Sequence, residues 1–476
     1  MKVGDVARSD LRASGNPPRR LRSRINLLAA LAADRYTPSG FLFSAVGIGA
    51  ALLLVSAVIA YYFEIDVFAS LSFIANDNPC ANNDHAGTGV GIHCFGDYYQ
   101  VVDFAQATDP WANNRSNYAA AGMLPNLLFG TIADAVGAPR FGLILFLLVI
   151  LACLLVPAAW ASRGKALWIR VATLILFGLG SLPALMALDR ANNTALAVPA
   201  LLAFLVGVRR DNYRVAVIAI IVAALIRPQY LLLIAVLLAR RQWKASLVAF
   251  GGVGVTNLLA YLAWPTIFPG SIGESLASIL RFGRGAGLDA EYPANVSFGK
   301  IIYELGTMVR RAVGMNGDAV ATSLSGLAGS VIALLLIVAV VIAGRRMPVA
   351  PTAILVLALA SLLPSTTFSY YLVFCLPVAA ILLRDPLDLS PDRYTWRGVL
   401  DDEVVSRRGV VATALIALAV AFSLTRFLLP ELLGFEVNHV PRVDLVGTTA
   451  GLAPLAWLAA SLAALLAWGD QRTTST

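Results

Sequence analysis

An uninterrupted apolar run, Phe41–Phe63, is the feature that most constrains the fold of this chain, because it contains no charged residue. A helix of about 20 apolar residues crosses a bilayer, and more apolar runs follow. Only 13% of the 476 residues are charged and 58% are hydrophobic, whereas an average soluble domain has about 25% charged residues. These proportions exclude a soluble enzyme, a disordered chain and a fibrous protein. We therefore predict an all-α polytopic membrane protein.

The distribution of charge predicts the orientation of the chain. Residues 1–40 contain eight basic and three acidic residues, a net charge of +5, and residues 64–118 have a net charge of −6. Because basic residues are retained on the cytoplasmic side, we predict a cytoplasmic N-terminus and an extracytoplasmic 64–118 loop. The net charge of +8 is therefore a topology signal, and no nucleic-acid partner is expected. We expect no cleaved signal peptide, since 40 residues precede a first run of full spanning length.

The apolar runs are separated by basic or Pro/Gly clusters and predict 11–13 transmembrane helices with two long extracytoplasmic loops. The break at Arg227–Pro228 fits either one kinked helix or two half-helices, and the 120–136 run fits either a span or a re-entrant segment. The predicted segments are a cytoplasmic basic segment 1–40, a first transmembrane helix 41–63, a first extracytoplasmic loop 64–118, a transmembrane core 119–268, a second extracytoplasmic loop 269–320, transmembrane helices 321–383, a cytoplasmic loop 384–408, C-terminal transmembrane helices 409–468 and a cytoplasmic tail 469–476.

Two cysteines, Cys80 and Cys94, lie in the first predicted outside loop. A disulfide is the natural interpretation on an oxidising face, and closing a loop of about 15 residues would stabilise the chain by roughly 3 kcal/mol. The alternative is a metal site that also uses Asp84, His85 and His93, but this spacing does not match the usual paired zinc motifs. We predict the disulfide and no metal site.

Ionisable residues near membrane spans are costly and are therefore candidates for function. Asp97 follows a glycine and precedes Tyr98, at the end of the acidic loop. A carboxylate in an enclosed pocket can act as a general base; a helix N-cap is the alternative, and spacing alone favours the cap. Asp103 is a weaker candidate, nearly two helical turns further on. Asn117 and Tyr118 end the polar stretch that leads into the next apolar run.

Arg227 interrupts apolar sequence, where an unpaired arginine would cost at least about 2.5 kcal/mol. A guanidinium matches phosphate oxygens with two parallel hydrogen bonds, so a lipid phosphate is a candidate ligand. The alternative is an arginine that extends its head group to the membrane interface. In the second predicted loop, Arg281 and Arg284 form a short basic patch beside glycines.

The remaining polar candidates interrupt apolar runs or lie in the second loop: Asp189, Arg190, Asn192, Asn193, Asn295, Tyr370 and Tyr371. Pairing of Asp189 with Arg190 would account for both charges without a ligand. Asn295 begins a formal N-glycosylation sequon, but such a pattern often occurs by chance, and a polar contact or a helix cap near Ser297 is favoured. The tyrosine pair is also expected at a lipid interface on structural grounds.

The order of these elements along the chain resembles that of the GT-C membrane glycosyltransferases, particularly glycosyltransferase family 87. The matching elements are Gly96-Asp97-Tyr98, Tyr118 with Pro125, Arg227-Pro228 followed by Arg241-Gln242-Trp243, Asn295-Val296-Ser297 and Tyr370-Tyr371. Two elements differ from the family pattern. Its Tyr-Pro-Pro is reduced to a tyrosine with a displaced proline, and arginine replaces lysine in its Lys-Pro.

The resemblance implies a GT-C-like helical bundle in the plasma membrane, with its active site on the extracytoplasmic side. The implied reaction transfers arabinofuranose or mannose, with inversion, from a polyprenyl-monophosphate donor to a cell-envelope glycan or glycolipid. By the resemblance Asp97 is the general base, and Arg227, then Arg281 or Arg284, holds the donor phosphate. The implied substrate contacts are Tyr98, Asp103, Asn117, Tyr118, Asn193, Asn295, Tyr370 and Tyr371.

The partners implied by the resemblance are the donor, the acceptor and membrane lipids, and we expect no cofactor. Two alternatives stay open at this point. A lipid or glycan transporter (flippase) would fit the broken helix around Arg227, because broken helices are common in transporters. A non-catalytic partner in envelope assembly would keep the fold without the chemistry.

Overall fold

The structure is a computed structural model and describes residues 38–62, 95–112, 116–285, 295–314, 322–383, 407–425, 431–437, 440–444 and 447–468. Its helices are α1 (Pro38–Tyr62), α2 (Gly96–Gln106), α3 (Ala120–Val136), α4 (Pro139–Ala161), α5 (Leu167–Leu174), α6 (Leu182–Asp189), α7 (Val198–Arg209), α8 (Tyr213–Ile226), α9 (Ile234–Ala239), α10 (Trp243–Ala260), α11 (Gly270–Gly285), α12 (Phe298–Val313), α13 (Thr322–Ala343), α14 (Val349–Leu362), α15 (Cys375–Leu383), α16 (Arg407–Leu424) and α17 (Gly447–Trp468).

Short irregular helices interrupt this series. A π-helix, Ile175–Leu179, continues α5, and 3-10 helices occupy Asn193–Ala197, Pro228–Leu233, Tyr261–Ala263 and Ser369–Phe374. The described part also contains one antiparallel hairpin, β1 (Glu431–Val437) and β2 (Val440–Asp444), with an irregular register between Leu432 and Glu436. Because everything else that is regular is helical, the structure confirms an all-α polytopic fold.

Proline and glycine determine where several helices begin and end. Pro139 begins α4, at a position where the missing N–H removes no hydrogen bond. Gly137 ends α3 in the left-handed conformation, with φ 67°, which glycine adopts without steric penalty. These two residues make the short turn between α3 and α4, so the two helices pack against each other directly.

Three helical segments in the described part are long and apolar enough to cross a membrane alone: Pro139–Ala161, Trp243–Ala263 and Leu324–Ala343. A fourth candidate joins Leu167–Leu179 to Leu182–Asp189 with a bend of 55°, where the π-helix interrupts the regular hydrogen bonds. Nine further apolar segments have 10 to 17 residues. Some are bounded by 3-10 helices or polar breaks, whereas Phe41–Leu52 and Leu452–Trp468 are parts of the longer helices α1 and α17. The number of 11–13 spans, and the segment boundaries, stay predictions.

The packing places an apolar centre inside an apolar surface. Every residue of α14 from Ala350 to Leu362 is buried, and so is all of α15. By contrast, α10 and α13 expose large apolar side chains such as Leu247 and Ile342. Exposed apolar surface of this extent suits lipid as the surrounding solvent. The chain is therefore a multi-pass membrane protein.

Helices α12 and α13 cross in close contact at glycines. A Cβ added to Gly299 would lie 2.8 Å from Gly326 Cα and 3.0 Å from Ser325 O, which is backbone that cannot rotate away. Small residues of this kind allow close approach of helices in membranes. The crossing positions the segment that begins at Asn295, immediately before α12.

We expect Gly299→Ala to destabilise the protein by about 1 to 3 kcal/mol because it overpacks this crossing. Gly306→Ala is the matched control on the same helix, since a Cβ there has no other heavy atom within 4 Å. Removing that glycine should be neutral or stabilise by about 0.5–1 kcal/mol. Thermal unfolding in detergent measures both effects. Equal Tm values for the two variants would contradict the assignment of a tight crossing.

The predicted break at Arg227–Pro228 separates an α-helix from a 3-10 helix, so the segment is not one kinked α-helix. Helix α8 ends at Ile226, and Pro228 begins a 3-10 helix that leads into α9. The 120–136 run forms helix α3, which is one of the shorter apolar helices. The predicted disulfide of Cys80 with Cys94, and most of the first loop, lie outside the described residues.

Candidate functional site

Asp97 lies in the first turn of α2, and its side chain bonds to residues outside that helix. Its Oδ1 accepts hydrogen bonds from Arg190 Nη2 at 2.6 Å and Nε at 3.2 Å, and its Oδ2 accepts one from Asn192 Nδ2 at 2.7 Å. The N-cap position is held by Phe95, with φ 51° and without a side-chain cap. The N-cap alternative for Asp97 is therefore wrong, because its carboxylate bonds to another segment.

That other segment is the polar turn after α6, which runs from Arg190 to Thr194. Ala191 is buried and left-handed, with φ 49°, a conformation that costs a non-glycine residue about 1–2 kcal/mol. On one side of it the Arg190 carbonyl accepts from Asp97 N–H at 3.2 Å. On the other side Asn192 caps the 3-10 helix by accepting from Thr194 N–H at 2.8 Å. The turn thus brings the side-chain donors of Arg190 and Asn192 to one carboxylate.

Arg227 occupies the break between α8 and the following 3-10 helix and is 7% exposed. Its Nε donates to Thr194 Oγ1 at 2.8 Å, and its Nη2 donates to Asn192 Oδ1 at 3.0 Å and Tyr118 OH at 3.2 Å. Since the side chain ends inside the protein, the alternative of an arginine reaching for the interface is wrong. Among the described residues nothing accepts from Nη1, so two N–H donors are left for a ligand.

Two tyrosine rings lie against the Arg227 guanidinium. Its carbon is 4.7 Å from the centre of the Tyr118 ring and 5.0 Å from that of Tyr371, distances at which a cation is attracted to an aromatic face. Trp111 Nε1 donates to the Tyr118 carbonyl at 2.9 Å and holds its backbone. Burial raises the pKa of the Tyr118 phenol to about 12, although the Arg227 cation acts in the opposite direction. The phenol is therefore neutral at physiological pH and adds no negative charge beside the arginine.

The carboxylate and the guanidinium are joined through one side chain, Asn192. Its Nδ2 donates to Asp97 and its Oδ1 accepts from Arg227. Of the charged side chains linked by these hydrogen bonds, Arg190 and Arg227 are cations and Asp97 is an anion. A cluster with this balance, in which Arg190 is partly exposed and Arg227 is buried, attracts an anionic ligand while keeping one carboxylate for proton transfer.

Asn193 and Tyr370 extend the cluster. Asn193 Nδ2 donates to the Gly122 carbonyl at 2.9 Å, and its buried Oδ1 has no partner among the described residues. The Tyr370 ring is stacked on Tyr371 at 5.0 Å between centres. A buried oxygen without a donor is a position where a ligand hydroxyl would bind well.

Four other candidates have different surroundings. Tyr98 is 2% exposed and packs against Phe146, with ring centres 5.0 Å apart, so its ring belongs to the core. Asn117 is half-exposed. Asp103 is half-exposed on α2, and at 3.6 residues per turn it lies about 120° around the helix from Asp97. Asn295 accepts from the backbone of Ser297 and Thr367 and donates to the Ser365 carbonyl, which ties α12 to the segment before Tyr370.

Arg281 and Arg284 belong to the last turns of α11, and their side chains lie outside the described part of the structure. No group of three or more His, Cys, Asp or Glu residues suited to a metal ion occurs in the described ranges. The absence of a metal site and of a cofactor stays a prediction for the whole chain.

Sequence patterns single out Arg190 and Asn192 but neither the contact of Arg190 with Asp97 nor the bridging role of Asn192, and they do not single out Thr194, which contacts Arg227. The local pattern predicts a pairing of Arg190 with Asp189. The structure shows a salt bridge of Arg190 with Asp97, which is 93 positions away in the sequence. The Asn-Asn-Thr run between two apolar segments was the available signal. It is typical of a helix cap, and Asn192 is one as well as a bridge.

Comparison with known proteins supports the same interpretation. The sequence profile of glycosyltransferase family 87 matches residues 118–369, a range that begins at Tyr118, includes Asn192 and Arg227, and ends just before the tyrosine pair. Neither the curated proteins nor the solved structures contain a match to the chain. The match covers more than half of the sequence. The chain therefore belongs to glycosyltransferase family 87 and is a membrane glycosyltransferase.

Proposed function

We propose that this glycosyltransferase transfers a sugar from a polyprenyl-monophosphate donor to a hydroxyl of an envelope glycan or glycolipid, with inversion at the anomeric carbon. The single observation that carries this proposal is the buried Arg227 guanidinium, whose Nη1 has no partner in the described structure and which Asn192 links to Asp97. A phosphate on a lipid would bring its charge to that guanidinium from the membrane.

Asp97 suits the role of the general base by its hydrogen-bonding capacity. A carboxylate has about four lone-pair sites. Arg190 takes two on Oδ1 and Asn192 takes one on Oδ2, so one site on Oδ2 is left for an acceptor hydroxyl. In the proposed step the hydroxyl oxygen attacks the anomeric carbon, its proton passes to Oδ2, and the bond from that carbon to the phosphate oxygen breaks.

The leaving polyprenyl phosphate takes the electron pair of the broken bond and gains negative charge. Fixed cations in a site that excludes water stabilise such charge strongly. Arg227 is held by Thr194, Asn192 and Tyr118 before a ligand binds. In this proposal it therefore needs no rearrangement as the phosphate leaves, and Arg281 and Arg284 are second candidates for the same charge.

The sugar would lie between the two charged groups. Asn193 Oδ1, which has no described partner, would accept a hydrogen bond from a sugar hydroxyl, and Tyr118, Tyr370 and Tyr371 supply aromatic surface beside Arg227. Asn117, half-exposed next to Tyr118, is a further candidate. We place this site on the outer face of the plasma membrane, because Asp97 belongs to the acidic end of the chain's first polar loop.

A donor panel tests the proposal. Purified protein in detergent is incubated with undecaprenyl-phosphate mannose, undecaprenyl-phosphate arabinofuranose or the corresponding nucleotide sugars, together with an envelope glycolipid extract. We expect transfer from a lipid-phosphate sugar and none from a nucleotide sugar, read by mass spectrometry. The anomeric configuration of the product, read by NMR, should be opposite to that of the donor.

Two results would contradict the proposal. Transfer from nucleotide sugars alone would show that the lipid phosphate is not the donor. Movement of a lipid-linked sugar across a proteoliposome membrane without any product would favour the transporter alternative, since a transporter relocates its substrate and does not convert it.

A further inference from the structure

Asn192 has three functions in the described structure that no other side chain combines. It caps a 3-10 helix through Thr194 N–H, donates to Asp97 Oδ2 and accepts from Arg227 Nη2. Its side chain is fully buried, with 0% exposure. The cap alone would account for an asparagine at this position, but it uses only one of the amide's two ends.

The orientation of this amide follows from its neighbours. Two donors, Thr194 N–H and Arg227 Nη2, face one end, at 2.8 Å and 3.0 Å. That end must therefore be the oxygen, since a nitrogen there would meet two N–H groups. The –NH2 end is consequently directed at the Asp97 carboxylate, at 2.7 Å. The surroundings thus determine both hydrogen bonds.

We propose that Asn192 is a positioning residue for sugar transfer, whose single amide holds Asp97 and Arg227 at a fixed separation and so aligns proton acceptance with phosphate departure. This inference rests on the proposed function. It assigns to Asn192 no contact with substrate. In this inference Asn192 sets the direction of the remaining lone pair of Asp97 and of Arg227 Nη1, which has no partner among the described residues.

The neighbouring turn supports this role by its backbone. Ala191, directly before Asn192, is left-handed with φ 49° and fully buried. Strained backbone of this kind persists only where the surrounding structure enforces it, and it clusters at functional sites. Here it lets the Arg190 carbonyl accept from Asp97 N–H while the next side chain bonds to the same aspartate.

Two substitutions separate positioning from capping. Serine and aspartate are both good N-caps, so Asn192→Ser and Asn192→Asp keep the hydrogen bond to Thr194 N–H. Asn192→Ser is too short to join Asp97 to Arg227. Asn192→Asp still offers an acceptor to Arg227, but it places a second carboxylate against Asp97. A residue that only caps the helix would tolerate both changes.

We expect both variants to fold and to lose about 10²-fold in kcat, as a small misplacement of reacting groups does. For Asn192→Asp we also expect the acid limb of the kcat/KM profile to move to higher pH by about one unit or more, because paired carboxylates share a proton and the base is lost at higher pH. The charged and titratable groups around Asp97 that contribute to this profile are Arg190, Arg227, Tyr118, Tyr370 and Tyr371, with Asp189 adjacent in the chain.

Asn212 provides the matched control. It is exposed, and it caps α8 by accepting from Val215 N–H at 3.3 Å, at the opposite end of that helix from Arg227. Asn212→Ser should leave kcat, KM and the pH profile unchanged. Binding of undecaprenyl phosphate, measured by calorimetry, is a readout that does not need turnover. It should weaken several-fold in Asn192→Asp, whose added negative charge opposes the phosphate.

Normal kcat, pH profile and phosphate binding in both folded Asn192 variants would overturn the inference and leave Asn192 as a cap. Loss of the folded state in both would overturn it as well, because the position would then serve folding. These outcomes are distinguishable from failure of the proposed function. If Asp97→Asn abolishes transfer while the Asn192 variants are normal, only the positioning role fails. If no lipid-phosphate sugar is a donor for the wild type, the proposed function fails.

Discussion

Asp97→Asn should lower kcat for sugar transfer by about 10²- to 10⁴-fold, the usual contribution of a general base. The amide has the size of the carboxylate and can still accept from Arg190, but it cannot take a proton from the acceptor hydroxyl. Because Asp97 bonds to Arg190 and Asn192 and not to the proposed phosphate ligand, donor KM should change little. Steady-state kinetics with the donor from the panel measure both constants.

Asp211→Asn is the control for this substitution. Asp211 is left-handed, with φ 53°, and accepts from Tyr213 OH at 2.8 Å at the start of α8. Asparagine tolerates that backbone conformation, and the position is exposed, so activity should be normal. Full transfer activity in a folded Asp97→Asn protein would remove Asp97 as the base.

Arg227→Ala should raise the donor KM by about 10²-fold or more and also lower kcat. A hydrogen bond to a charged group contributes about 1.5–3 kcal/mol, and the proposed phosphate contact has two such bonds from Nη1. Arg227→Lys keeps the charge but loses the planar fork, so we expect a loss of about tenfold, intermediate between alanine and wild type. Binding of undecaprenyl phosphate should follow the same order.

Arg214→Ala controls for the loss of a cation. Arg214 is exposed in the first turn of the helix that ends next to Arg227, so its removal should change neither KM nor phosphate binding. The lysine variant also guards against misfolding, since it fills much of the same space. Unchanged phosphate binding in a folded Arg227→Ala protein would rule out Arg227 as the phosphate ligand.

Much of the candidate site could be predicted because charged residues are scarce in this sequence. With 13% charged residues, an aspartate beside aromatics and an arginine inside an apolar run each stand out. Asp97 and Arg227 are those two residues, and the structure brings them into one hydrogen-bonded cluster through Asn192. Their catalytic roles stay predictions that the substitutions above test.

The rest of the site could not be predicted because its contacts are distant in sequence. Tyr118 and Arg227 are 109 positions apart, and Asn192 and Arg227 are 35 apart. Tyr98 is a residue that the sequence places in the site but the structure places in the core. It follows Asp97 directly, but successive residues of a helix point in different directions, and its ring packs on Phe146 in the core.

The sequence by itself determined the fold class, because long apolar runs with few charges are stable only as helices in a bilayer, where each backbone group bonds within its own segment. It also determined which few ionisable residues must be explained. Only the tertiary structure decided what those residues contact. The pairing of Arg190 with Asp97 and the bridge through Asn192 arise where the ends of α2, α6 and α8 meet. That meeting depends on how helices pack against each other, which no local periodicity encodes.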